Sequence, residues 1–232
     1  MSNVKKTYGG AMIAFIICVF VLFAAVLAIP FSREIFETLS ADHPFIMGFV
    51  KFALLATAGE IIAVRMSTGS WQKPSYLIAR IIIWGLIGIW ITYMMKMLFI
   101  GSGAIIENGL IPGKDLPEFW YKLVRAFTTS ATMNLTFGPT FMAVHKCSDT
   151  YLALRAANGK KVSLAAIIDT VDWKRFVSFT LFKTVPLFWI PAHTLTFMLP
   201  SEYQVMLAAL LSVALGIILN LKKAPASSPK TK

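Results

Sequence analysis

The chain has 232 residues, of which 57% are hydrophobic and only 14% charged, and its net charge is +11. A soluble domain carries roughly 45–50% apolar and about 25% charged residues, so this composition excludes a water-soluble globule and points to lipid as the solvent. The length leaves room for one membrane domain, over residues 1–222. The basic residues are scattered over loops, so they read as membrane topology and not as a nucleic-acid footprint.

Six apolar stretches are long enough to cross a hydrocarbon core of about 30 Å. They lie near 11–29, 45–64, 77–99, 126–144, 176–198 and 203–221. The first is free of charge, follows Lys5 and Lys6 and ends at Pro30; its apolar core is too long for a cleaved signal peptide, so an uncleaved span is expected. The second and third are strongly apolar, with Lys96 near the end of the third. The fourth and fifth carry Thr, Ser, Asn, Lys, His and Pro, a set that belongs in a bundle interior and not against lipid. The sixth is rich in Ala and Leu and ends on Lys222 and Lys223. Residues 160–175, apolar in the middle and flanked by bases, read as a short amphipathic helix on the headgroup surface. The stretch 223–232 reads as a disordered polar tail.

Loop charge sets the orientation. With both termini inside, the inner segments 1–10, 65–76, 145–175 and 222–232 hold fourteen basic residues, while Arg33, Lys114, Lys122 and Arg125 are the four on the outer side. The expected fold is therefore all-α: a polytopic transmembrane helix bundle of six spans with both termini on the cytoplasm-like side.

Within the fourth span Thr129, Thr132, Thr136 and Thr140 are spaced by three, four and four residues, which places them on one helix face. With Asn134 in the same helix they form a candidate polar lining for a solute path; interhelical hydrogen bonding by small polar residues is the competing reading. Intramembrane ionisable residues are costly and are functional or paired. Glu60 in the second span and Lys183 in the fifth are such a pair of candidates, expected to meet each other or the Thr stripe inside the bundle. Lys51 is expected to reach the outer interface along its stem. Pro186 and Pro191 each remove a helix hydrogen bond in the fifth span and mark a candidate kink beside the polar helix. His145, Cys147 and Asp149 read as an extended segment, His43 and His193 as residues near the outer interface. No catalytic triad, phosphate loop or zinc motif is present in the sequence, so neither enzyme, cofactor nor metal is expected.

Short motifs give a family likeness. His43-Pro44 precedes the second span, Gly59-Glu60 lies late in it, Phe137-Gly138-Pro139 lies in the fourth, and Pro200 stands three residues before Tyr203 at the start of the sixth. In these residues the chain resembles the membrane proteins of the Mpv-seventeen and peroxisomal type over roughly residues 42–222. It departs from them in having Glu60 where the family has Asp, and Gln204 where it has a base. The resemblance implies a channel or small-solute pathway. The functional expectation is a small-solute channel or transporter with its polar path along the fourth and fifth spans. A structural or assembly protein without transport, and a membrane-embedded lipid-modifying enzyme, stay open as alternatives. Expected partners are membrane lipids and a small-molecule solute, with a homo-oligomer open and no nucleic acid. The expected location is a bacterial cytoplasmic membrane, or else an organelle membrane.

Overall fold

In the computed structural model, which describes residues 9–159 and 161–221, helices follow one another with no strand among the described residues. The order is α1 (Gly9–Ala28), α2 (Pro30–Asp42), α3 (Pro44–Thr68), α4 (Leu77–Glu107), α5 (Glu118–Thr132), α6 (Gly138–Asn158), α7 (Leu164–Thr170), α8 (Trp173–Arg175), α9 (Ile190–Phe197) and α10 (Ser201–Leu221). Two π-helical stretches, Met133–Phe137 and Phe176–Trp189, join α5 to α6 and α8 to α9, so both rods run on without a break.

Four helices, α1, α3, α4 and α10, are long and apolar enough to cross a membrane. Their outer faces carry large apolar side chains with no protein partner, such as Ile17, Val21 and Leu22 on α1 and Ile78, Ile82 and Leu86 on α4. Only a hydrocarbon environment makes such a surface inexpensive. The core lies where α3 packs against α4 and α10, around Phe52, Leu55, Ala58, Met95 and Ala209. Small residues permit that approach: Gly48 and Gly88 face each other so closely that a Cβ on Gly48 lies 2.9 Å from the Gly88 carbonyl oxygen.

Helix ends follow local chemistry. Pro30 and Pro44 open α2 and α3 at positions where a missing N–H costs nothing. Gly69 (φ 72°) and Gly159 (φ 65°) close α3 and α6 in the left-handed conformation that a side chain disfavours. Ser163 and Asp172 cap α7 and α8 with hydrogen bonds from Ala166 N and Arg175 N.

Three expectations need correction. The fourth rod does not stop near residue 144 but continues to Asn158, which converts the expected loop over 145–158 into helix. The interfacial helix is short and broken: among the described residues of the stretch 160–175, Leu164–Thr170 and Trp173–Arg175 are helical, separated at Val171 and Asp172. Lys51 does not reach outward. It is 2% exposed, because α2 folds over it; its Nζ donates to Ser40 Oγ (2.8 Å) and to the Glu202 carbonyl (2.8 Å), above the Phe36 ring. The polar tail over 223–232 lies outside the described residues.

Candidate functional site

Each π stretch is closed by a proline two residues on, Pro139 after Phe137 and Pro191 after Trp189. Proline lacks the N–H that an α-helix returns to the carbonyl four residues back. The chain absorbs this by widening to hydrogen bonds five residues apart, as from Ile190 N to Val185 O. Pro186 lies inside the second stretch and Pro191 just past it. A widened turn packs less tightly, and the two π stretches touch one another. Between them lies a cavity of about 300 Å³.

The cavity body is apolar and aromatic, with Phe52, Trp84, Phe137, Phe141, Phe176 and Trp189 among its walls. One end holds Asn134 and His193, both buried. The Asn134 amide nitrogen donates to Ser130 O (2.8 Å) and lies 3.0 Å from His193 Nδ1, while the His193 ring stacks on Trp189 with centroids 5.0 Å apart. Ser130, fully buried, ties the rods directly by donating to the Ile190 carbonyl (2.7 Å).

The other end is charged. One nitrogen of Arg80 bonds both Glu60 Oε1 and Asp149 Oδ1, the latter at 2.9 Å, and Arg80 Nε donates to Ser75 O. Trp84 Nε1 donates to Glu60 Oε2 (3.1 Å), and His145 Nδ1 lies 3.4 Å from Asp149 Oδ2. The Trp84 and His145 rings are 4.1 Å apart. Burial pushes the Asp149 carboxyl above its ordinary range, and the Arg80 guanidinium pulls against that shift. His145 and Asp149 meet because α6 continues through them and sets them four residues apart on one face; an extended segment would have splayed them.

A second cavity, of about 450 Å³, lies at the opposite end of the same rods, lined by Phe99, Glu118, Arg125 and Phe197 among others. Arg125 donates twice to the Phe99 carbonyl (3.1 and 3.0 Å) and lies over its ring. Between the cavities the rods are packed without space: Ala126, Thr129, Ser130 and Thr196 are all 0% exposed, and Phe197 stacks on Phe99.

The sequence candidates divide on this geometry. Asn134 lines the first cavity, Glu60 anchors its charged end, and Thr129 is buried in the packed region. Thr132, Thr136 and Thr140 face outward, as does Lys183. The widened turn at 133–137 breaks the 100° spacing on which the stripe was built, and Thr136 and Thr140 return their hydroxyls to their own helix, at Thr132 O (2.6 Å) and Thr136 O (3.5 Å). Glu60 meets Arg80 in place of Lys183. The double change Thr132→Val and Thr136→Val is therefore expected to leave stability within about 0.5 kcal/mol, read from thermal unfolding in detergent; a loss above 2 kcal/mol contradicts the outward placement.

Arg80, Trp84, Lys146, Trp189 and His193 were not among the sequence candidates for the site. Arg80 carries a signal that sequence could have given, a guanidinium three residues into an apolar stretch. His193 carries a weaker one, as a lone His near a predicted span end. Comparison with protein-family models, with curated proteins and with solved structures finds no match for the chain.

Proposed function

We propose that this chain is an integral membrane protein that crosses the bilayer six times, with both termini on the cytoplasm-like face, and carries a small solute along the seam between its fourth and fifth rods. The observation that carries the reading is the pair of cavities on one helix pair, one at each end, divided by a packed region whose buried polar side chains are the hydroxyls of Thr129, Ser130 and Thr196, with Asn134 and His193 at the adjoining end of the first cavity. Plain interhelical packing does not require two cavities in line with a polar seam. Two end cavities closed from one another by a packed middle are what a gated conduit has at rest. The arrangement favours a bacterial cytoplasmic membrane or an organelle membrane, where loop charge of this sign faces inward. The resemblance to the Mpv-seventeen type agrees with it: Pro44 opens α3, and Glu60 anchors the charged end of the first cavity.

Purified protein in liposomes tests the proposal by osmotic swelling with a panel of small neutral and charged solutes. Wild type is expected to accelerate entry of at least one solute over protein-free liposomes. Phe197→Ala, which removes the ring stacked on Phe99, is expected to raise that rate several-fold, and Asn134→Leu to lower it. Swelling no faster than in protein-free liposomes, for wild type and for Phe197→Ala alike, rejects a conduit.

A further inference from the structure

The charged end of the first cavity contains two carboxylates and two fixed cations, and their partners are unequal. Both Glu60 oxygens are engaged, one by Arg80 and one by Trp84. One Asp149 oxygen is engaged by Arg80, and the other lies 3.4 Å from His145 Nδ1. Lys146 also lines the cavity, and its ammonium makes neither a hydrogen bond nor an ion pair among the described residues, although it lies in the field of Asp149. The Lys146 residue is half-buried at the wall of an aromatic cavity, where an anion would form a charge-assisted hydrogen bond with its ammonium. Arg80 is shared by both acids, so the cation left without a direct partner among the described residues is Lys146.

We infer that the cavity binds a small organic acid, whose anionic group sits on Lys146 and whose apolar body lies among the rings of Phe141, Phe137 and Trp189. Asn134 and His193 at the far end supply hydrogen bonds to a polar substituent there. The volume, about 300 Å³, suits one compact molecule and is too small for the body of a two-chain lipid. The carboxylate comes from solution and not from a headgroup. This assignment deepens the solute-path reading and rests on it for the molecule's route, while the site itself is tested by binding alone.

The probe is labelled 4-phenylbutyrate, measured by equilibrium dialysis at neutral pH against the full chain in phosphatidylcholine nanodiscs, with empty nanodiscs as background. Saturable binding is expected, and 4-phenylbutanol and 4-phenylbutylamine are expected to compete at least about tenfold more weakly, the scale of one charge-assisted hydrogen bond. Lys146→Met is expected to weaken the acid by about tenfold or more, and Lys146→Arg to restore most of it. The ligand series on wild type needs no variant and decides the matter even if Lys146→Met does not fold. Equal binding of alcohol, amine and acid overturns the inference, as does an unchanged affinity in a folded Lys146→Met or the absence of saturable binding. Loss of acid binding when phosphatidylglycerol is added to the nanodiscs overturns it in favour of a lipid headgroup. Binding of the acid without solute entry into liposomes removes the conduit and keeps the site; solute entry without saturable binding of the acid removes the site and keeps the conduit.

Discussion

Arg80→Met is expected to cost about 3 kcal/mol or more of stability, because it leaves two carboxylates in a confined site with no cation between them. The Arg80 side chain is 11% exposed, Glu60 18% and Asp149 41%. Most of the loss therefore falls on Glu60, while Asp149 is open enough for water to take up part of its charge. Glu60→Gln should cost much less, about 1 kcal/mol, since an amide oxygen still accepts from Arg80 or Trp84. The double variant Arg80→Met with Glu60→Met should recover part of the single loss, because no orphan carboxylate remains on α3. Denaturant or thermal unfolding in one detergent reads all three. If Arg80→Met proves no worse than Glu60→Gln, the guanidinium is not what holds this end together.

That cluster also shows where sequence reasoning reached and where it stopped. The all-helical class was legible because long, strongly apolar runs leave the backbone one economical way to satisfy itself in lipid. Four such runs are matched by helices of spanning length and composition, α1, α3, α4 and α10. Glu60 was legible as a charge that needed a partner, but its partner was not. Two spans that are adjacent in sequence place Glu60 and Arg80 twenty residues apart, and only the depth at which the 69–76 turn reverses the chain brings them together. The Thr stripe failed for a local reason. A constant 100° step assumes uniform α-helix, and no residue in 133–137 announces a π turn except, in retrospect, the Pro139 that follows it. Lys51 failed for a tertiary one. Its burial depends on α2, a thirteen-residue helix of low overall hydrophobicity that a search for spanning segments passes over. The cavity residues Trp189 and His193 failed because an aromatic ring or a lone imidazole near a span end is ordinarily an interfacial anchor.

Gly88→Ala is expected to cost about 2 kcal/mol, an unusually large penalty for adding one methyl group to a helix. In an isolated helix the same change is favourable by up to about 1 kcal/mol. The sign reverses here because the new Cβ meets the Gly48 carbonyl oxygen and lies 2.7 Å from Phe52 Cβ. A backbone carbonyl cannot turn aside, so α3 and α4 must part along the most extensive contact in the fold. Two other glycines of α4 calibrate the effect. At Gly85 the added methyl meets only the Phe49 ring, which can rotate, and the loss should be smaller; at Gly101 it meets nothing within 4 Å, and the change should be neutral or stabilising. Unfolding midpoints in the order Gly101→Ala, Gly85→Ala, Gly88→Ala, highest first, are expected in matched detergent. Equal midpoints at Gly88 and Gly101 rule out the close approach. The same variant connects packing to the site, since Phe52 is pressed by the new methyl on one side and lines the cavity on the other. Gly88→Ala should therefore weaken 4-phenylbutyrate binding as well as the fold, whereas Gly101→Ala should leave both intact.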